Sequence, residues 1–136
     1  MTAQNNLSLG LRAEVRTTVD RSNVASSFGS GLIDVFATPA MVALMENAAS
    51  SAVQPVLPAG SITVGTRIDI RHLAATPAGL QVRATAELVE IDNRRLVFRV
   101  EAFDPKERVG EGIHERMIVD AARLLTRARE KAEKSA

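Results

Sequence analysis

The stretch 38-TPAMVALMENAASSAV-53 decides the fold. Thr38-Pro39 reads as a helix start: a threonine side chain can cap free N–H groups, and proline is favoured at the first helical position. Pro55 and the run Pro58-Ala59-Gly60 stop the helix, so it should run from Thr38 to about Val53 or Gln54. Met41, Val42, Leu44, Met45, Ala48, Ala49, Ala52 and Val53 make it apolar nearly all round, which predicts burial on most sides. Glu46 is the exception. It shares a stripe with Val42, Ala49 and Val53, where a carboxylate needs water, a basic partner or a chemical role.

Outward from this helix the period changes from 3.6 to 2. Upstream, Leu11, Ala13, Val15, Thr17 and Val19 alternate with Arg12, Glu14 and Arg16, the pattern of a half-buried strand. The segment 21-RSNVASSFGSGLID-34 is rich in Ser and Gly and reads as a loop with room for a short helical turn. Downstream, Ile62, Val64, Ile68 and Ile70 put 61–72 in a strand with one apolar face. Residues 80–91, 96–103 and about 109–120 follow as strands, with turns at Asp92-Asn93 and Asp104-Pro105-Lys106-Glu107. One buried helix and five strands, the last three an antiparallel meander, make an α+β layer architecture in which the sheet wraps the helix. Such a sheet leaves edge strands to manage, and pairing two copies edge to edge predicts a homodimer, with further pairing of dimers left open.

Composition narrows the function. The 136 residues fit one domain spanning 1–136, with 121–136 as a basic C-terminal helix or tail. Hydrophobic residues make up 46% and charged residues 24%, the balance of a globular protein that needs no metal or disulfide to fold. No cysteine is present, and two histidines leave little for a metal site; no cofactor is expected. Net charge is +1 and the aromatics are four Phe, which argues against nucleic-acid binding. MTAQNNLSLG does not read as a signal peptide, and no apolar run approaches a membrane span, so the expected location is cytoplasmic without membrane attachment.

Several residues are candidates for chemistry. His72 keeps the parity of Ile68 and Ile70 and should point to the sheet's apolar face, which is the one that meets the helix. A carboxylate from the helix and an imidazole from the sheet in one layer form a plausible acid–base pair. Thr38, two turns before Glu46, lies on roughly the same side. Gly65 interrupts its strand and marks either a bulge or a close approach of backbone or ligand. Gly110 and Gly112, beside His114 and Arg116, suggest either a ligand groove or strand curvature.

The segments 35-VFATPAMVALMENA-48, 64-VGTRIDIRHLAATPAG-79 and 110-GEGIHERMIV-119 resemble the hot-dog-fold thioesterases, and within them the fluoroacetyl-CoA thioesterase-like group. The resemblance spans about Val35 to Val119 with matching spacing. It implies a long central helix wrapped by a curved five-stranded antiparallel sheet, dimerisation, and hydrolysis of an acyl-CoA thioester. It also implies Thr38, Glu46 and His72 as the catalytic group, and Gly65 and Arg116 as substrate-contacting positions. Phe28, on the loop before the helix, is expected with Gly65 to set pocket depth. The fluoroacetyl-specific enzyme carries a long aromatic-rich lid here; 21–34 is shorter, with one Phe, and Pro39 stands where that enzyme has Gly. The implied function is therefore hydrolysis of some other short-chain acyl-CoA, by Glu46 as nucleophile or as base for water. Arg116 and the basic tail are candidates for the coenzyme A phosphates. A non-catalytic acyl-CoA-binding or sensing protein is the alternative.

Overall fold

The structure, a computed structural model, describes residues 6–135. The first five residues, half of the segment read as carrying no targeting signal, and Ala136 lie outside them. Strand β1 (Arg12–Thr18) and a short helix α1 (Ala25–Phe28) precede the long helix α2 (Thr38–Val53). A single 3₁₀ turn (Gln54–Val56) accommodates Pro55. Then come β2 (Ser61–His72), β3 (Gln81–Asp92), β4 (Arg95–Phe103), β5 (Arg108–Asp120) and a terminal helix α3 (Ala121–Ser135). All strand pairs are antiparallel, in the order β1-β3-β4-β5-β2. No helix among the described residues is long and apolar enough to cross a membrane.

The core forms where the two periods meet. Met41, Met45, Ala48, Ala49 and Val53 of α2 bury against Val82, Ala84, Ala86 and Leu88, the alternate residues of β3. Phe98 and Leu96 of β4 complete that layer. Each large side chain so buried contributes about 1.5–3 kcal/mol. Glycine admits the helix to the sheet: a side chain at Gly110 would collide with Met41 and Met45, which accounts for Gly110 as close packing. Gly112 lies equally tight against the β2 backbone at Asp69 and Ile70.

Burial of α2 is one-sided in the single chain. The helix packs chiefly on β1 and β3, and its flank with Ala43 and Asn47 is exposed. β2, at the edge, carries an exposed run from Gly65 to Asp69. Its alternation also differs from the sequence expectation. A bulge between Gly65 and Arg67 inserts Thr66 as an extra residue and reverses the faces. Before it, Thr63 and Gly65 point inward, and Ile62 and Val64 point away from the helix; after it, Ile68, Ile70 and His72 point inward. A period-two pattern read through the bulge puts Ile62 and Val64 on the wrong side.

Candidate active site

Two polar clusters occupy the concave side. The first lies at the start of α2. Thr38 does not cap the helix: Ala37 is the N-cap residue, extended at φ −76° and ψ 141°, and the first turn has no side-chain cap. The Thr38 hydroxyl turns instead to His72, with Oγ1 2.7 Å from Nδ1. His72 stands at the end of β2, half-buried, and burial holds its proton affinity below the ordinary histidine value. Its Nε2 is buried with no hydrogen-bond partner, a condition that calls for an explanation in a folded protein. A cavity of about 460 Å³ opens here, walled by Ile33, Val35, Phe36, Thr38, His72 and Leu73.

The second cluster surrounds Glu46. Its Oε2 lies 3.9 Å from Nη1 of Arg116, with the Glu46 side chain 42% exposed and that of Arg116 9%. Arg116 Nε donates to Thr63 Oγ1 at 2.7 Å and Nη2 to the Thr63 carbonyl at 2.9 Å. A third bond joins Nη1 to His114 Nε2 at 3.1 Å. Gly65 is the floor of this group: an added Cβ would stand 2.7 Å from Glu46 Oε2, 3.2 Å from His114 Cε1 and 3.5 Å from Arg116 Nη1. Burial lowers the proton affinity of Arg116, opposed by the charge of Glu46.

The three residues expected to act together are thus divided. Thr38 meets His72, and Glu46 meets Arg116 and Gly65, but no hydrogen bond or ion pair among the described residues links Glu46 with the other two. Glu46 lies eight positions beyond Thr38 along the helix, about 12 Å of rise. Gly65 and His72 stand roughly 20 Å apart along β2. Phe28, expected to set pocket depth, does not line the cavity; it is 48% exposed. Arg116 is buried in this network and is not presented to a coenzyme A phosphate. His114 and Thr63 are members that sequence reasoning left without a role. The signal for His114 was the parity of Gly110, Gly112, His114 and Arg116, which share the inner face of β5. No group of three or more His, Asp or Glu side chains among the described residues is arranged to hold a metal ion.

Helix, strand order and polar groups together place the chain in the hot-dog class of thioesterases. The family described as fluoroacetyl-CoA-specific thioesterase matches residues 19–122. The fluoroacetyl-CoA thioesterase of Streptantibioticus cattleyicolor is 44% identical over 98 residues, 72% of this chain and 70% of that protein. The solved structure of the fluoroacetyl-CoA thioesterase FlK superposes with a TM-score of 0.87 at 35% identity, covering 92% of this chain and 97% of that one. A thioesterase superfamily member from Thermus thermophilus superposes with a TM-score of 0.85 at 29% identity, covering 93% and 94%. The chain belongs to the fluoroacetyl-CoA-specific thioesterase family and is a thioester hydrolase.

Proposed function

We propose that the protein acts as a homodimer that hydrolyses a short-chain acyl-CoA to the free acid and coenzyme A. Thr38 and His72 of one protomer meet Glu46 of its partner across the dimer. The observation that carries this is the placement of the two clusters at opposite ends of the exposed part of β2. That strand is 12 residues long, pairs with β5 on one side, and has no partner strand on the other among the described residues. A long free edge invites pairing. A two-fold axis between Ile68 and Asp69 would set Gly65 of one protomer opposite His72 of the partner, bringing each half-site to the other. It would also cover the exposed flank of α2.

In that arrangement the thioester carbonyl lies beside the start of α2, whose uncapped N–H groups and positive dipole end suit a developing oxyanion. With Thr38 donating to His72 Nδ1, the ring proton sits on Nε2, the atom without a partner. From there it polarises the carbonyl or serves the departing thiolate. Glu46 supplies the carboxylate, attacking directly or through water. The substrate is a short acyl group other than fluoroacetyl. Leu32 is 99% exposed and Phe28 stands half in solvent, so the 21–34 segment builds no aromatic cover over the cavity. For the nucleotide end, Arg94, Arg123 and Arg127, with Asp120, line a hollow of about 180 Å³; among the described residues none of the three arginine side chains forms an ion pair. An acyl-CoA substrate also agrees with the cytoplasmic location expected from the sequence.

The test is a panel of acyl-CoA thioesters read by free-thiol release. The expected result is turnover of a short acyl-CoA, abolished in Glu46→Gln and His72→Ala variants that still melt cooperatively as folded proteins. Saturable binding of every acyl-CoA without thiol release would mark the protein as a binder instead.

A further inference from the structure

We propose that His114 is a positioning residue that holds the Arg116 guanidinium in place against Glu46. The inference rests on the reading of Glu46 as the reactive carboxylate. His114 is 1% exposed on β5. Its ring lies 6.4 Å from that of Phe98, tilted by 33°. Its two nitrogens have partners of opposite demand. Nδ1 is 2.7 Å from the carbonyl oxygen of Arg67, the first residue past the β2 bulge. A carbonyl only accepts, so Nδ1 carries the hydrogen. Nε2 faces Arg116 Nη1, and a guanidinium only donates, so Nε2 must hold a lone pair. Only the neutral Nδ1–H tautomer satisfies both neighbours.

With that tautomer, all three guanidinium nitrogens are anchored: Nε and Nη2 on Thr63 and Nη1 on His114. The plane of the guanidinium is thereby determined, and what remains of Nη1 faces the Glu46 carboxylate at 3.9 Å. Protonating His114 removes the lone pair and sets an imidazolium against the guanidinium, so the anchor on Nη1, the nitrogen nearest Glu46, fails while those on Thr63 remain. The groups facing His114 are Arg116 on its own strand, Glu46 from α2, the Arg67 carbonyl from β2 and Phe98 from β4, while Glu115 acts through its charge from the opposite face of the strand. Burial and the charge of Arg116 favour the neutral ring, while the Arg67 carbonyl, Glu46 and Glu115 oppose them.

Two amide substitutions separate positioning from simple support. Gln at 114 can reach the Nε2 position and offer its oxygen to Arg116; Asn reaches only the Nδ1 position and can keep the bond to Arg67. His114→Asn is expected to lose about ten- to a hundredfold in kcat, the scale of one hydrogen bond to a charged group, with KM little changed. His114→Gln should retain most of kcat and lose the part of the acidic limb of the kcat–pH profile that His114 contributes. Equal kcat in the native and Asn variants would overturn the proposal. Nitrogen-15 NMR of the imidazole gives an arm independent of catalysis. It should report the Nδ1–H tautomer in the native protein and a slowly exchanging Arg116 N–H that is lost in His114→Asn. An Nε2–H tautomer sinks the inference. The tautomer found in a protein without thioesterase activity refutes the reading of Glu46 and leaves the clamp standing.

Discussion

Gly65 and Glu46 stand so close that a single methyl group on the glycine would lie 2.7 Å from the carboxylate oxygen Oε2. The absence of a side chain on β2 is what lets α2 present a charged group over the strand. Gly65→Ala therefore has to move Glu46, His114 or both. It is expected to fold, because the nearest atom ends the flexible, partly exposed side chain of Glu46, which can shift, and to lower kcat by up to about a hundredfold, the scale of misplacing a reactive group by an ångström. An alanine variant with native kcat would show that the carboxylate works from another position.

The Thr38–His72 bond makes a different prediction. Thr38→Val keeps shape and removes the hydroxyl, leaving both imidazole nitrogens without a partner. The variant should lose about 0.5–1.5 kcal/mol of stability, the net worth of an ordinary hydrogen bond, and most of its activity. Thr38→Ser keeps the hydroxyl and should retain both. Denaturant midpoints and thiol release read the two effects separately, and an inactive serine variant with a native midpoint contradicts the assigned role.

Subunit complementation tests the shared site. Glu46→Gln and His72→Ala are each expected to be inactive as homodimers. Unfolded and refolded together, half of the dimers are mixed, and each of these holds one intact site. Activity should return to about a quarter of the native value, as random assortment of a two-fold dimer requires. No recovery, with mixed dimers demonstrated by mass, means that each protomer carries its whole site.

Stability should fall early on acidification. His72 and His114 both bind protons less readily in the fold than the ordinary histidine value of about 6.5, chiefly through burial. Below that value the unfolded chain takes up more protons than the native one, so stability declines as pH drops through the window beneath it. The melting temperature should be flat above about pH 7 and fall between pH 7 and 5, and His114→Gln should reduce that slope. A melting temperature unchanged across this interval would contradict the neutral, buried state of both rings.

The three arginines around the hollow beside α3 predict a salt effect. Arg123→Glu with Arg127→Glu should raise KM for acyl-CoA several-fold and leave kcat near native, with the difference shrinking at high ionic strength as exposed charges are screened. An unchanged KM at low salt removes the nucleotide end from this surface.

Much of this was legible in the chain by itself. The continuous apolar surface of 38–53 and the stops at Pro55 and Pro58 specify one buried helix, and the alternation in 80–91 specifies the strand beneath it, because these are local periods with local terminators. Glu46 and His72 stood out for a related reason, as polar groups at positions of apolar periodicity, whereas Thr38 read locally as a helix cap and joined them through the family resemblance. Tertiary structure alone decided what each one touches. Gly65 marked a bulge or a close approach as alternatives, but the insertion of Thr66 that reverses the faces of β2 is set by pairing with β5. The Thr38 hydroxyl went to His72 because β2 ends beside the helix start. His114 acquired its tautomer from a carbonyl 47 positions away in the chain. Periodicity is a property of neighbours along the chain, whereas hydrogen-bond partners are a property of neighbours in space.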